Sequence, residues 1–540
     1  MAARRRVAIT GLGLVTPVGN DVAATWAALL ACKSGGAAIS LFDASGFPVR
    51  IAAEVKGFDP ADAIGDRKLL KFANRSHGFA LAAAEQALAD AGIRPAGGEL
   101  DATRLLTDAS ANNPLVFCRS QSTTGLSLLT RRHDIRGYAT SVHTACASGG
   151  QAIGTALKLI RRGAVDYALA GGFDSMISPV GIAGFCLLSA LSVDNEMPER
   201  ASRPFDATRN GFLLGEGAGF LVLEEWESAR RRGAHIYAEL AGDGNSLSSY
   251  RITDSPPDGD GPIQSMRQAL ADAGATIDDV DYINAHGTST FMNDRSESAA
   301  IRAVFASRVK DVAVSSTKSS MGHLIAAAGA VEVAICALAI HNGELPVNAN
   351  LREQDPECDL ALVRDVPERR RVRIAMSNSF GFGGSNSCVC LRRPDAVDGS
   401  AIDPRGHPRR TLGNRTDPAV GCFGVADADG GRNLRLESPR TGRRPEAAQV
   451  DPAHRSVRSL CRGPRDRCIR AGGVPRRTRA RGRARVQRSH RRLCRFRWRQ
   501  LRESVRLFSA AHGRTGQIAG VRSRAFQLGQ SDVAAAHAAQ

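Results

Sequence analysis

Gln86-Ala-Leu-Ala-Asp-Ala-Gly92 recurs letter for letter as Gln268 to Gly274. Each copy closes a helical pattern with a glycine stop, ahead of a segment expected to form a strand. A single match this short can arise by chance, since alanine-rich helices are common, but it hints at two similar halves. Outward from the two copies, strands alternate with helices. Val7 to Thr10 reads as a short buried strand, with Gly11, Gly13, Pro17 and Gly19 marking turns after it. Phe79 to Ala91 and Ser148 to Arg162 have helical composition. Ala164 to Gly172, Phe220 to Glu224, Asp281 to Ala285, Ile374 to Ser377 and Ser387 to Leu391 read as strands. This alternation predicts an α/β layered architecture with largely parallel pairing.

The formal net charge of +18 suggests a nucleic acid or an anionic membrane as partner, until the chain is divided near Arg393. About 32 of the 72 basic residues, all arginine, follow that point, against about 12 acids. The charge belongs to the tail, and the first part is nearly neutral. From about residue 394 onwards apolar periodicity is sparse, and runs such as RRTRARGRARVQRSHRRLCRFRWRQ cannot bury an amphipathic face. Three origins remain open for this segment: a disordered extension, an out-of-frame reading of a GC-rich gene, or a basic nucleic-acid-binding arm.

Twelve cysteines in 540 residues, none in C-x-x-C spacing, argue against a disulfide framework and against structural zinc. The start, MAARRRVAITGLGLVTPVG, has no sustained apolar stretch and reads as a first strand rather than a signal peptide. The longest apolar run, Leu324 to Ile340, is interrupted by Glu332 and is expected to be a buried core helix rather than a membrane span. A cytoplasmic location is expected.

Three blocks carry candidate chemistry. In His143-Thr-Ala-Cys-Ala-Ser-Gly-Gly150, a cysteine stands where a strand passes into a helix. There the helix dipole and free N–H groups favour a thiolate and can hold an oxyanion, and small neighbours would let a thioester approach. A lone cysteine is more often structural, as Cys186 and Cys336 are expected to be. In Asn284-Ala-His-Gly-Thr-Ser-Thr290, His286 ends a strand, and Thr288 and Thr290 suit hydrogen bonding to an amide-rich ligand arm. A satisfied core histidine is the bland alternative. In Ser315-Ser-Thr-Lys-Ser-Ser-Met-Gly-His323, the residues Lys318 and His323 precede Glu332, and a buried charge calls for a partner.

Each block alone is a modest signal. In this order, and followed by Asn378-Ser-Phe-Gly-Phe-Gly-Gly-Ser-Asn386, they make the chain resemble the β-ketoacyl-acyl carrier protein synthases of the thiolase superfamily. The resemblance runs from about Arg5 to Arg393, and includes VAITGLGLVTPVG and SRPFDATRNGFLLGEGAGFLVLEE. It is strongest to the elongating, type II enzymes with a Cys-His-His triad. It implies a duplicated α-β-α-β-α layered fold, with halves over 1–250 and 251–393 and the Arg-rich tail over 394–540. It also implies that Cys146 carries the acyl chain as a thioester, and that His286 and His323 bind the malonyl thioester carbonyl. Lys318 and Glu332 match the supporting pair. The N–H groups of Cys146 and Phe382 match the oxyanion hole, and Phe382 the gate. Thr288, Thr290, Phe380 and Asn386 match substrate contacts. No metal or redox cofactor is implied, since substrates ride on the phosphopantetheine of acyl carrier protein. That carrier is the expected partner, with a second copy or a chain-length-factor-like subunit completing a dimer; the reaction needs no nucleic acid.

The chain departs from the family over Leu105 to Thr130, where a strand central to the first half's sheet and a loop-helix cap are unrecognisable. Phe291 stands where a proline usually follows the second threonine. An inactive, chain-length-factor-like partner and a damaged gene product are therefore alternative readings, although Cys146 counts against the first.

Overall fold

The computed structural model describes residues 4–64, 71–93, 121, 123–394 and 420–424. The remaining parts of 105–130 and of the tail, on which irregularity, disorder or a frame slip were expected, lie outside the described residues.

Eleven strands share one sheet: β1 (Val7–Val15), β2 (Ala139–Ser141), β3 (Tyr167–Asp174), β4 (Gly217–Glu225), β5 (Ala238–Leu247), β6 (Val280–Asn284), β7 (Ala313–Ser315), β8 (Ala361–Leu362), β9 (Ile374–Phe380), β10 (Ser385–Arg392) and β11 (Val420–Gly424). Their spatial order is β8-β7-β6-β9-β10-β5-β1-β4-β3-β11-β2. The sheet divides where β1 meets β5 at only two register positions, Ala8↔Glu239 and Ile9↔Ala238. On one side lies β7-β6-β9-β10-β5, with β8 added in parallel at its outer edge, and on the other β2-β11-β3-β4-β1; apart from β8 these are two five-stranded sets with the same sequence of parallel and antiparallel neighbours.

The pairing is mixed, not largely parallel. Strands β9 and β10 are joined by the four-residue turn 381–384, which can only return the chain antiparallel. Strand β5 already pairs with β10, so the second half begins before Ala238 rather than at residue 251.

Helices α1 (Arg75–Asp90), α2 (Thr124–Arg132), α3 (Ser148–Arg161), α4 (Asp260–Ala273), α5 (Phe291–Phe305) and α6 (Ala328–Asn342) form the other layers. Helix α2 covers part of the stretch expected to be irregular. Helices α3 and α6 pack against each other and against strands of both halves, forming the middle layer. Helix α1 covers the outer face of the first half through Phe79, Ala83 and Ala87 against Leu169 and Phe220. Helices α4 and α5 cover that of the second. The apolar run ending at Ile340 is this middle helix, buried from Ala328 to Ile340.

The repeated heptapeptide does the same work twice. Asp90 and Gln86 accept hydrogen bonds from the backbone N–H groups of Leu12 (2.9 Å) and Leu14 (3.0 Å). Asp272 and Gln268 accept from Asp243 (3.0 Å) and Asn245 (3.2 Å). These amides are freed where a ladder slips, after Ile9 in β1 and opposite Cys390–Leu391 in β5. Gly11 and Gly13 lie inside β1, not in turns. A Cβ at Gly11 would stand 2.1 Å from Ala87 O, and at the corresponding Gly242 2.3 Å from Ala269 O, so the glycines let the helix approach its strand.

Candidate active site

The middle helices begin in parallel ways. His143-Thr-Ala-Cys146 leads through a 3₁₀ turn (Ala145–Ala147) into α3, and His323-Leu-Ile-Ala326 through another (Ile325–Ala327) into α6. Both turns open on a left-handed residue that is not glycine, Ala145 (φ 49°) and Ile325 (φ 48°), a backbone state that persists only when its surroundings enforce it. Gly149 and Gly329 allow the two helix starts to touch: a Cβ on either would lie 2.6 Å from Ala330 N or 2.8 Å from Gly150 N, respectively. The small residues after Cys146 therefore serve helix packing.

This crossing brings Cys146, His286 and His323 together. Cys146 Sγ lies 3.0 Å from His323 Nε2. The rings of His286 and His323 have centroids 5.3 Å apart. One donor atom from each of the three side chains lies within 4.8 Å of the others, and all three are buried. Ile325 N–H donates to His323 Nδ1 at 3.2 Å. That ring nitrogen accepts, so Nε2 carries the proton and presents it to the sulfur. His286 Nδ1 has no partner among the described residues.

Electrostatics keep the resting site neutral. Burial pushes the Cys146 thiol up to about 12; the Lys318 charge pulls it down, Asp174 pushes it up, and the backbone N–H groups of Phe382 and Cys146 pull it down through hydrogen bonds. The helix start thus supplies donors to the sulfur without making a resting thiolate, because desolvation outweighs them. Burial, then the Lys318 charge, hold His323 well below its ordinary value, and His286 likewise with a further push from His323. Both imidazoles are neutral N–H donors.

Lys318 and Glu332 pair as a buried ion pair, each side chain about 1% exposed. Burial raises Glu332 to about 7 against the pull of Lys318. Phe380, the last residue of β9, places its ring centroid 5.7 Å from that of His286. Phe382 is half-buried in the following turn. Thr288 and Thr290 share a hydroxyl–hydroxyl bond of 2.8 Å. The Asn386 amide is spent on Ser248 Oγ and Gly384 O, both at 2.9 Å, so it ties down the glycine turn. Phe291 opens α5 with Arg295 Cζ 3.6 Å above its ring.

Two residues of the site escaped the sequence reading. Glu297, on α5, accepts from the N–H groups of His286 (2.9 Å) and Gly287 (2.8 Å) and from Asn378 Nδ2 (3.1 Å), fixing the histidine loop. Only its place on a helix directly after that loop hinted at this. Gly381 lies where a Cβ would stand 2.6 Å from Thr144 O and 3.1 Å from Cys146 N. Its place in the glycine-rich turn is visible in the sequence; its approach to Cys146 is not.

Comparison with known proteins identifies the family. The family described as beta-ketoacyl synthase, N-terminal domain, matches residues 4–229, and the beta-ketoacyl synthase, C-terminal domain, matches 237–352. The chain is 41% identical to a 3-oxoacyl-[acyl-carrier-protein] synthase 2 of Coxiella burnetii over 410 residues, 72% of this chain and 99% of that protein. It is 39% identical over 419 residues to the tetracenomycin polyketide synthase ketoacyl synthase alpha subunit of Streptomyces glaucescens, 73% of this chain and 98% of that one. Among solved structures, the ishigamide ketosynthase/chain length factor superposes with a TM-score of 0.65 at 36% identity, over 72% of this chain and 99% of that chain. A type II polyketide synthase acyl-carrier protein in complex with its ketosynthase bound to the hexaketide gives 0.65 at 32%, over 73% and 100%. With the matched domains spanning both halves and the cysteine and two histidines meeting where those halves cross, the chain belongs to the β-ketoacyl synthase family, on the thiolase-like fold.

Proposed function

We propose that the chain is an acyltransferase, a 3-oxoacyl-acyl carrier protein synthase that condenses an acyl thioester held on Cys146 with malonyl-acyl carrier protein. The observation that carries this reading is the 3.0 Å approach of His323 Nε2 to Cys146 Sγ, with His286 in the same small volume. In the first half-reaction Cys146 Sγ bonds to the acyl carbonyl carbon, the carrier's thioester bond breaks, and the thiol proton ends on the departing pantetheine sulfur. A sulfur nucleophile suits this step, because it is also the leaving group of the next. The N–H groups of Cys146 and Phe382 are the donors for the tetrahedral oxyanion.

In the second half-reaction malonyl thioester loses carbon dioxide, and its electron pair becomes an enolate with charge on the thioester oxygen. The N–H donors of His286 and His323 stabilise that charge. The enolate carbon then bonds to the acyl carbon, the Cys146 thioester breaks, and one proton restores the thiol. Neutral imidazoles fit this role, and burial, helped by the Lys318 charge, keeps them so. Thr288 and Thr290 are proposed to hold the phosphopantetheine arm, Phe380 to wall the acyl pocket beside His286, and Phe382 to gate it. The proposed route uses carrier-bound thioesters and neither a metal nor a redox group, in a soluble, cytoplasmic dimer with a second copy or a chain-length-factor-like subunit.

Incubation with acyl-acyl carrier protein, followed by peptide mass spectrometry, tests the reading. The expected result is an acyl adduct on Cys146 and ping-pong kinetics; an adduct elsewhere, or condensation by Cys146→Ala, overturns it. The assembled nucleophile disfavours the inactive-partner alternative.

A further inference from the structure

Strand β11 comes from beyond Arg393, yet it runs parallel inside the first half's sheet. Val420 to Phe423 lie opposite Tyr167 to Ala170 of β3, and Cys422 to Gly424 opposite Ala139 to Ser141 of β2. In the second half the same slot, between β7 and β9, holds β6, which begins at Val280, shortly after α4 ends its heptapeptide at Gly274. In the first half α1 ends in the same heptapeptide at Gly92, but the strand occupying the equivalent slot is drawn from the far end of the chain.

Among the described residues β2 is paired only with β11. Its last residue, Ser141, lies five residues before Cys146. Without β11 the strand that delivers the nucleophile would lose its whole ladder, and β3 would become an edge. We propose that Val420–Gly424 is a donated strand, an integral part of the synthase fold rather than part of an appendage, and that by anchoring β2 it positions Cys146. Sparse apolar periodicity in the segment containing it gives no sign of such a strand. Four of its residues pair with β3 and three with β2, Cys422 and Phe423 with both, and a parallel slot asks for main-chain hydrogen bonds more than for a particular sequence.

Hydrogen exchange on the full chain tests this without any variant and without reference to activity. Amides of 420–424 should exchange as slowly as those of β3; exchange at the rate of an unfolded peptide overturns the proposal. A second arm uses Cys422→Pro, which removes a ladder N–H, with Cys422→Val as the conservative variant and Val457→Pro as a control in the same tail. Cys422→Pro should expose 139–141 to exchange, leave β6 and β9 protected, and slow acylation of Cys146 by about 10²-fold, the cost of a misplaced reacting group. Cys422→Val and Val457→Pro should behave as the parent. Unchanged exchange at 139–141, or unchanged acylation, in Cys422→Pro overturns the positioning role. If Cys422→Pro fails to fold, the exchange of the unaltered chain decides whether the strand is in place. Loss of the proposed condensation in the unaltered chain, with 420–424 still protected, would instead count against the functional reading alone.

Discussion

His323 presents Nε2–H to Cys146 Sγ across 3.0 Å because its Nδ1 is occupied by the Ile325 N–H, so this imidazole is a donor and not a base toward the thiol. His323→Ala should therefore leave Cys146 able to take an acyl chain, while malonyl decarboxylation falls about 10²–10³-fold, the usual cost of one oxyanion donor. Single-turnover acylation and release of labelled carbon dioxide separate the two steps. Equal loss in both would make His323 a general base instead.

Burial holds the free thiol at about 12, so alkylation of Cys146 should be slow at neutral pH and rise steadily through the alkaline range. Intact-mass measurement of iodoacetamide labelling against pH checks this. A plateau beginning near pH 7 would mean that a thiolate is already present.

The buried Lys318–Glu332 pair is expected to behave asymmetrically. Lys318→Met leaves a carboxyl stranded in the core and should cost about 3–5 kcal/mol, whereas adding Glu332→Leu should recover most of it. Urea unfolding of the two variants gives the comparison. The double variant should fold and still lose activity, because the imidazoles lose the charge beside them.

Glu297 and Glu332 both sit at about 7 when folded, against 4.5 for an ordinary glutamate, chiefly through burial. Between those values the folded protein holds protons that the unfolded chain releases, so each contribution is full below 4.5 and is lost as pH rises through 7. His286 and His323 act in the other direction. They stay neutral when folded, so stability falls as pH drops below their ordinary 6.5. Glu297→Gln removes one carboxyl, and its destabilisation relative to the parent should shrink as pH rises from about 5 to about 7.5. A constant gap across denaturation curves would show that Glu297 is ionised throughout.

Gly381→Ala would drive a methyl group against Thr144 O and the Cys146 N–H, moving the Phe382 donor off the sulfur. Acylation should fall by about 10²-fold, and the melting temperature should fall as well, because the methyl group meets backbone rather than a flexible side chain. Gly383→Ala, where φ is 81° and the surrounding space is open, should instead cost about 1 kcal/mol of stability and little activity. The contrast between the two, read by acylation rate and thermal melt, separates site geometry from turn strain.

Much of the fold was legible in local pattern. The strands from Ala164, Phe220, Asp281, Ile374 and Ser387 all formed, with boundaries shifted by a few residues. The misreading of Gly11 and Gly13 as turn residues has a specific cause: glycine inside a strand and glycine ending one look alike until the helix behind it is in view. The mixed pairing was hidden for a similar reason, since strand direction depends on which neighbours meet and not on either strand alone.

By itself the sequence determined which cysteine and histidines were candidates for the site and the buried status of the apolar run before Ile340, and it hinted at the duplication through its repeated heptapeptide, because each is written in residue type and spacing. Tertiary structure alone decided the His323 tautomer, the neutral state of the thiol, the service of Glu297 and Gly381, and the placing of Val420–Gly424 beside β2. Those depend on which atoms, distant along the chain, come within hydrogen-bond reach, and on how much water their meeting excludes; no single stretch of sequence carries that information.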